Sequence, residues 1–94
     1  MTITILNKQW ELKELLPMSA TVFGSCDIMY KNISIRQDLS DEAKQETLIH
    51  ETAHAIIYET SIREYLTDEQ QEQYCEFVKF AYPIIKDVLR QVNK

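Results

Sequence analysis

The sequence predicts an α+β fold, in which a short antiparallel sheet of about three to four strands packs on two helices. Apolar and polar side chains alternate through much of residues 2–37, which is typical of strands. From Ser40 onward the apolar positions recur every three to four residues, which is typical of amphipathic helices. A chain of 94 residues suits a single modest core, so we expect residues 1–94 to form one domain.

The first half of the chain contains two predicted hairpins. β-branched and apolar side chains alternate in residues 2–6, TITIL, and the alternation continues in WELKEL after a turn at Asn7 and Lys8. Further along, CDIMY and ISIRQ flank the dipeptide KN, which predicts two short strands around a tight turn. The intervening segment LPMSATVFGS contains Pro17 and the only glycine, Gly24, so we expect a connection there.

The first predicted helix covers residues 41–60. Ser40 is a suitable N-cap, and Asp41 and Glu42 place carboxylates in the first turn, where they stabilise the positive end of the helix dipole. Four apolar residues at helical spacing form the face that we expect to meet the core: Ile49, Ala53, Ile56 and Ile57.

A second helix is predicted after Thr67 and extends to about residue 90. Thr67 and Gln70 have the spacing of a capping box, in which each side chain hydrogen-bonds the backbone N–H of the other residue. Pro83 removes one backbone donor and crowds the preceding turn, so we expect this C-terminal helix to be kinked. Seven of its apolar and aromatic residues are expected in the core: Tyr74, Phe77, Val78, Phe80, Ala81, Tyr82 and Ile85.

The composition excludes several classes of function. The formal net charge is -5 and no dense Lys/Arg cluster is present, so binding to nucleic acid through phosphate neutralisation is not expected. No apolar segment approaches the roughly 20 residues that span a bilayer, and the N-terminal residues lack a signal-peptide pattern. We therefore expect a cytoplasmic protein without a membrane partner. In that compartment Cys26 and Cys75 are expected to be free thiols.

Both histidines of the chain lie in TLIHETAHAII, residues 47–57. His50 and His54 are four positions apart on the predicted helix, so both imidazoles can place a nitrogen about 2.0 to 2.1 Å from a shared Zn²⁺. Glu51 is rotated by about 100° from His50, so it lies beside the metal without binding it. Glu51 is therefore a candidate general base, which takes a proton from a zinc-bound water as that water attacks a peptide carbonyl.

A catalytic zinc requires a third protein ligand, and the chain contains no further histidine. Ile57 and Thr60 stand where the metzincin pattern requires glycine and histidine, so that subclass is excluded. Glu76 lies among apolar residues in YCEFVKF, where zinc would offset the cost of placing a charge there. The phase of the helix, however, puts Glu76 opposite the predicted apolar stripe. The candidates for the third ligand are Glu69, Glu72, Cys75 and Glu76.

Two long segments of the chain resemble a known family. FGSCDIMYKNISIRQDLSDEAKQETLIHETAHAII and DEQQEQYCEFVKFAYPIIKDVL are similar to the very small gluzincin-type zinc metallopeptidases of phages and mobile elements, relatives of the ImmA/IrrE-like metallo-endopeptidases. The resemblance covers nearly the whole chain. It implies a single minimal zincin-like domain, with a short antiparallel sheet, an HExxH helix and a further helix that carries a glutamate ligand.

The same resemblance implies roles for individual residues. The zinc ligands are then His50, His54 and Glu76. Glu51 takes the role of the catalytic residue. The residues that follow Glu76 differ from the small and polar ones often seen in the family, so Glu72 is the alternative third ligand.

The sequence therefore predicts a zinc-dependent metallopeptidase that hydrolyses a peptide bond with a zinc-activated water. Its expected partner is a peptide or protein, such as a repressor or host regulator, laid along ISIRQ as an edge strand. The alternative is a catalytically weak or inactive zincin-fold protein that acts as a binding module of a mobile element. Glu51 favours catalysis, because a purely structural zinc needs no base beside it.

Overall fold

The protein consists of one four-stranded sheet and two long helices, as the computed structural model describes it for residues 1–16 and 22–92. The predicted α+β class is confirmed. The helices are α1, Asp41–Glu59, and α2, Asp68–Val92. A 3₁₀ turn at Ser61–Tyr65, which the sequence analysis did not predict, connects them.

The four strands form two hairpins, as predicted, but the second turn is displaced, because Ile28, Met29 and Tyr30, which were predicted to lie in a strand, belong to that turn. Leu6 and Asn7 have φ values of 50° and 65°, which is typical of a two-residue type I′ turn between the first two strands. The second turn covers residues 28–31, where the Asp27 carboxylate accepts hydrogen bonds from two backbone N–H groups. The strands are β1 (Thr2–Ile5), β2 (Lys8–Leu15), β3 (Gly24–Asp27) and β4 (Asn32–Arg36).

The strand order is β1-β2-β4-β3, and the sheet is mixed where an antiparallel one was predicted. The two hairpins are antiparallel, but β2 and β4 run parallel. The second hairpin joins the first through β4 because β4 is the more apolar strand, with Ile33 and Ile35 buried. The prediction that ISIRQ forms an edge strand is therefore wrong, and the more polar β3 takes that position.

The predicted helix caps are confirmed. Ser40 Oγ accepts a hydrogen bond of 3.2 Å from the backbone N–H of Ala43 at the start of α1. At the start of α2 the capping box is complete, since the N–H of Gln70 donates to Thr67 Oγ1 and the N–H of Thr67 donates to Gln70 Oε1. The helix then continues through Pro83 to the end of the described chain.

Helix α1 is buried on two sides, by the sheet and by α2. This arrangement leaves a third side open, so Ile56, which was predicted to be core, is 43% exposed. The cluster against the sheet contains Ile5, Trp10, Ile33, Ile35 and Ala55. The cluster against α2 contains Ala53, Ile57 and Cys75.

Only part of the predicted apolar stripe of α2 packs in the core, where Val78 is partly buried against the cluster with Cys75. Tyr74 and Ile85 are 49% and 58% exposed, and Cys75 is the one buried residue that the described part of α2 contributes. Helix α2 meets α1 with the face that carries Cys75, and this face differs from its widest apolar face. The aromatic residues predicted to be core are exposed as well: Phe77, Phe80 and Tyr82.

Both cysteines are free thiols, as predicted. Burial raises the pKa of Cys26 and of Cys75 to about 12, so each is a neutral thiol in the absence of a metal. Neither helix in the described ranges has the length and apolar character needed to cross a membrane.

Candidate metal centre

Helix α1 lies very close to the edge strand β3. A Cβ added to Gly24 would be 2.5 Å from Thr47 Cγ2 and 2.9 Å from the carbonyl oxygen of Ser34. Only glycine permits this approach of strand to helix. The same Cβ would lie 3.5 Å from Cγ of Glu51, so the start of β3 borders the HETAH segment directly.

The two histidines of α1 face a single carboxylate of α2. The rings of His50 and His54 are 5.1 Å apart between centroids, and their side chains are 17% and 19% exposed. Glu72 Oε2 lies 3.3 Å from Nε2 of His50, and Glu72 Oε1 lies 2.8 Å from Nε2 of His54. These three side chains therefore converge, with both Nε2 atoms directed at the carboxylate.

Glu76 contacts the other nitrogen of the first histidine. Its Oε1 is 3.0 Å from Nδ1 of His50, and its Oε2 is 3.0 Å from Nζ of Lys79. The hydrogen bond from Lys79 lowers the pKa of Glu76, so this carboxylate is readily ionised. A carboxylate that accepts a hydrogen bond from Nδ1 fixes the ring and leaves Nε2 free to bind a metal. The role of Glu76 as a ligand itself stays a prediction.

The thiol of Cys75 lies near the two imidazoles. One ligand atom each of His50, His54 and Cys75 lie within 4.8 Å of one another, so this group can hold a metal ion. The Cys75 side chain is fully buried between α1 and α2. Burial and the nearby Glu72 carboxylate raise its pKa, and a bound divalent cation would counteract both effects by stabilising the thiolate.

Glu51 is the buried carboxylate of the site, with 7% of its surface exposed. Burial raises its pKa, the His54 imidazole partly opposes this change, and the Glu72 carboxylate adds to it. A carboxylate with a raised pKa is a stronger base than an exposed one. The role of Glu51 as a general base stays a prediction.

A cleft of about 420 Å³ lies between β3, α1 and α2 and reaches His50, Glu51 and Glu76. Among the residues that the structure describes, β3 is an edge of the sheet, so one wall of the cleft is a strand that pairs on one side only. Catalytic and ligand-binding sites commonly occupy such concave regions. Its lining includes Phe23, Gly24, His50, Glu51, Glu76 and Lys79.

HETAH lies on a helix, as predicted, and both of its histidines face α2. Of the four candidate ligands on α2, Glu69 is exposed on the first turn, whereas the other three lie at the histidines. Two residues of the site were missed. Gly24 could have been suspected as the only glycine of the chain, and Lys79 from its spacing of three after Glu76.

Comparisons with known proteins gave no relative for this chain. No protein-family model matches it, and neither a curated protein nor a solved structure does. The function is therefore inferred from the geometry and chemistry of the site.

Proposed function

We propose that this protein is a zinc-dependent metallopeptidase in which His50, His54 and Glu72 hold the metal. The observation that supports the proposal is the single Glu72 carboxylate, 3.3 and 2.8 Å from the two Nε2 atoms. Two imidazoles and one carboxylate form the ligand set of known catalytic zinc sites, which keep a fourth position for water. A bound zinc would lower the pKa of that water and polarise a peptide carbonyl.

Glu51 is the general base in this proposal. It follows His50 directly on α1 and is buried, and its raised pKa favours proton uptake. Its carboxylate accepts the proton that the attacking water loses, and it returns that proton to the leaving amine. Glu76 orients the imidazole of His50 through Nδ1, with Lys79 holding the other oxygen of the carboxylate.

The substrate in this proposal is an extended peptide segment that pairs with β3. Within residues 1–16 and 22–92 this strand pairs on one side only, and it begins at Gly24, beside Glu51. An extended chain can add to such an edge through backbone hydrogen bonds. A flexible segment of a repressor or host regulator would suit this geometry, and the net charge of -5 argues against a nucleic-acid partner.

Cys75 supports a second candidate function, a zincin-fold binding module without catalysis. With Glu72, the group of His50, His54 and Cys75 would supply four protein ligands. Four protein ligands are typical of structural zinc sites and leave no position for a water. Coordination of the metal by the Cys75 thiolate would therefore distinguish the binding module from the peptidase.

The decisive experiment compares the wild-type protein with Glu51→Gln, which keeps the size of the side chain and removes the base. We expect zinc-dependent cleavage of a peptide library by the wild type, a decrease of about 10² to 10⁴-fold in the variant, and equal zinc content in both. If the wild type cleaves nothing and its Co²⁺-substituted form shows a thiolate charge-transfer band, the metallopeptidase proposal fails and the binding module is supported.

A further inference from the structure

The C-terminal half of α2 presents a broad apolar face to solvent. Every residue in Tyr82–Val92 is exposed. At about 100° per residue, the apolar side chains of residues 77–92, apart from Pro83, fall within an arc of about 200°, and every charged side chain of this segment lies outside that arc. An apolar arc this wide is typical of a helix buried against other helices.

The exposed apolar area of α2 matches what a stable dimer requires. Nine large side chains are between 45% and 75% exposed. At roughly 100 Å² each they offer on the order of 900 Å², and a standard interface buries about 800 Å² on each partner. The nine residues are Tyr74, Phe77, Phe80, Tyr82, Ile84, Ile85, Val88, Leu89 and Val92.

An apolar groove adjoins this face on the same molecule. It has a volume of about 320 Å³ and lies between α1 and α2, with Ile56 and Ile62 on one side and Tyr74 on the other. Tyr74 belongs to both the groove and the exposed face of α2. Each copy therefore carries an apolar ridge beside an apolar groove, which is the combination that a two-fold symmetric interface needs.

The exposed part of α2 also lacks the contacts that normally stabilise a helix. Isolated helices shorter than about 12 to 15 residues are marginal in water, and most helical stability in proteins comes from packing of an apolar face. The segment Tyr82–Val92 is the last part of the 25-residue helix α2 and is exposed throughout. A partner that covers its apolar face would supply the packing that this segment lacks within one copy of the chain.

We propose that the apolar face of α2 pairs with the same face of a second copy of this chain, giving a two-fold symmetric dimer. Charged side chains such as Lys86 and Arg90 stay outside the interface, so no charge is buried without a partner. The proposal does not depend on the metallopeptidase proposal, since no interface residue belongs to the metal centre.

The test compares two double variants of the full chain by sedimentation equilibrium at micromolar concentrations. Ile85→Ser with Val88→Ser removes apolar area from the face, whereas Lys86→Ser with Arg90→Ser makes the same kind of change on the opposite side of α2. We expect the wild type and the second variant to be dimers. The first variant should dissociate at least about tenfold more readily and lose helical signal in far-ultraviolet circular dichroism.

Three results would overturn the dimer. The wild type could be monomeric throughout the concentration range, or both double variants could dimerise equally well. The wild type could also bind neutral phosphatidylcholine vesicles as a monomer, which would assign the face to a lipid surface. Zinc content, measured on the same samples, is expected to be unchanged in both variants, so a failure of the metal site is recognised separately.

Discussion

Glu72 and Glu76 lie one helical turn apart on α2 and contact opposite nitrogens of the same imidazole. The sequence resemblance implied Glu76 as the ligand, while helical phase placed it away from the core. The structure explains the conflict. The apolar residues around Glu76 are largely exposed, and its own side chain is 47% exposed, so no metal is needed to offset burial of its charge. Glu72 alone reaches both Nε2 atoms.

The first prediction compares the zinc affinities of variants at Glu72 and Glu76, measured in competition with a chromophoric chelator. Glu76→Gln removes an orienting partner, so we expect a loss of about 10 to 100-fold, as is usual for such groups. Glu72→Gln removes a proposed ligand and should cost clearly more. The reverse order, with zinc lost from Glu76→Gln and retained by Glu72→Gln, would show that Glu76 is the ligand.

Local patterns at the element scale predicted the elements well and their assembly poorly. The Ser40 cap, the Thr67 and Gln70 capping box and both hairpins depend on neighbouring residues, and all are present, although the second turn begins at Ile28 and not at Lys31. The parallel pairing of β2 with β4 depends on which strand of the second hairpin docks, and periodicity cannot specify that. The same holds for α2, whose buried face carries Cys75, packed against Ala53 and Ile57, and differs from its widest apolar face.

The second prediction concerns the contact of β3 with α1. Gly24→Ala places a methyl group 2.5 Å from Thr47 Cγ2 and 2.9 Å from a backbone carbonyl, so we expect a loss of about 1 to 3 kcal/mol in the free energy of unfolding. Combining it with Thr47→Ser, which removes that Cγ2 and keeps the hydroxyl, should recover part of the loss. Urea denaturation measures both, and an unchanged midpoint for Gly24→Ala would refute the close approach.

A third prediction concerns the polar contact that joins the sheet to the end of α1. Glu59 accepts hydrogen bonds from Trp10 Nε1 at 3.1 Å and Lys31 Nζ at 2.9 Å, and the contact with Lys31 is the larger cause of its lowered pKa. Because the folded pKa lies below the unfolded one, Glu59 stabilises the fold fully above the usual glutamate value of about 4.3. This stabilisation is lost as the pH falls through the folded pKa.

Glu59→Gln should therefore lower the free energy of unfolding at pH 7, and its difference from the wild type should shrink steadily below about pH 4. Denaturant titrations at a series of pH values measure this difference. Glu64→Gln, at an exposed position of the 3₁₀ turn, serves as the matched control. A difference between Glu59→Gln and the wild type that does not depend on pH would contradict the lowered pKa.

At the scale of the whole molecule, the metal centre and the core share the same interface. In the part of the chain that the structure describes, eight buried apolar residues form two small clusters, and the one between α1 and α2 contains Ala53, Ile57 and Cys75. The proposed ligands come from both of these helices, with His50 and His54 on one and Glu72 on the other. A bound zinc would therefore link two elements whose apolar contact is small, and metal binding should contribute to the stability of the fold.

The last prediction follows from this linkage. A ligand that binds only the folded state at a hundredfold excess over its Kd stabilises by about 2.7 kcal/mol, which for a domain of this size raises Tm by on the order of 10 to 20 °C. We therefore expect thermal unfolding at a clearly higher temperature with zinc than with a chelator. His54→Ala, which lacks one proposed ligand, should unfold at nearly the same temperature in both conditions. If zinc raised the unfolding temperature of His54→Ala and of the wild type equally, zinc would be binding elsewhere on the surface. If zinc changed neither temperature, metal binding would not contribute to the stability of this fold.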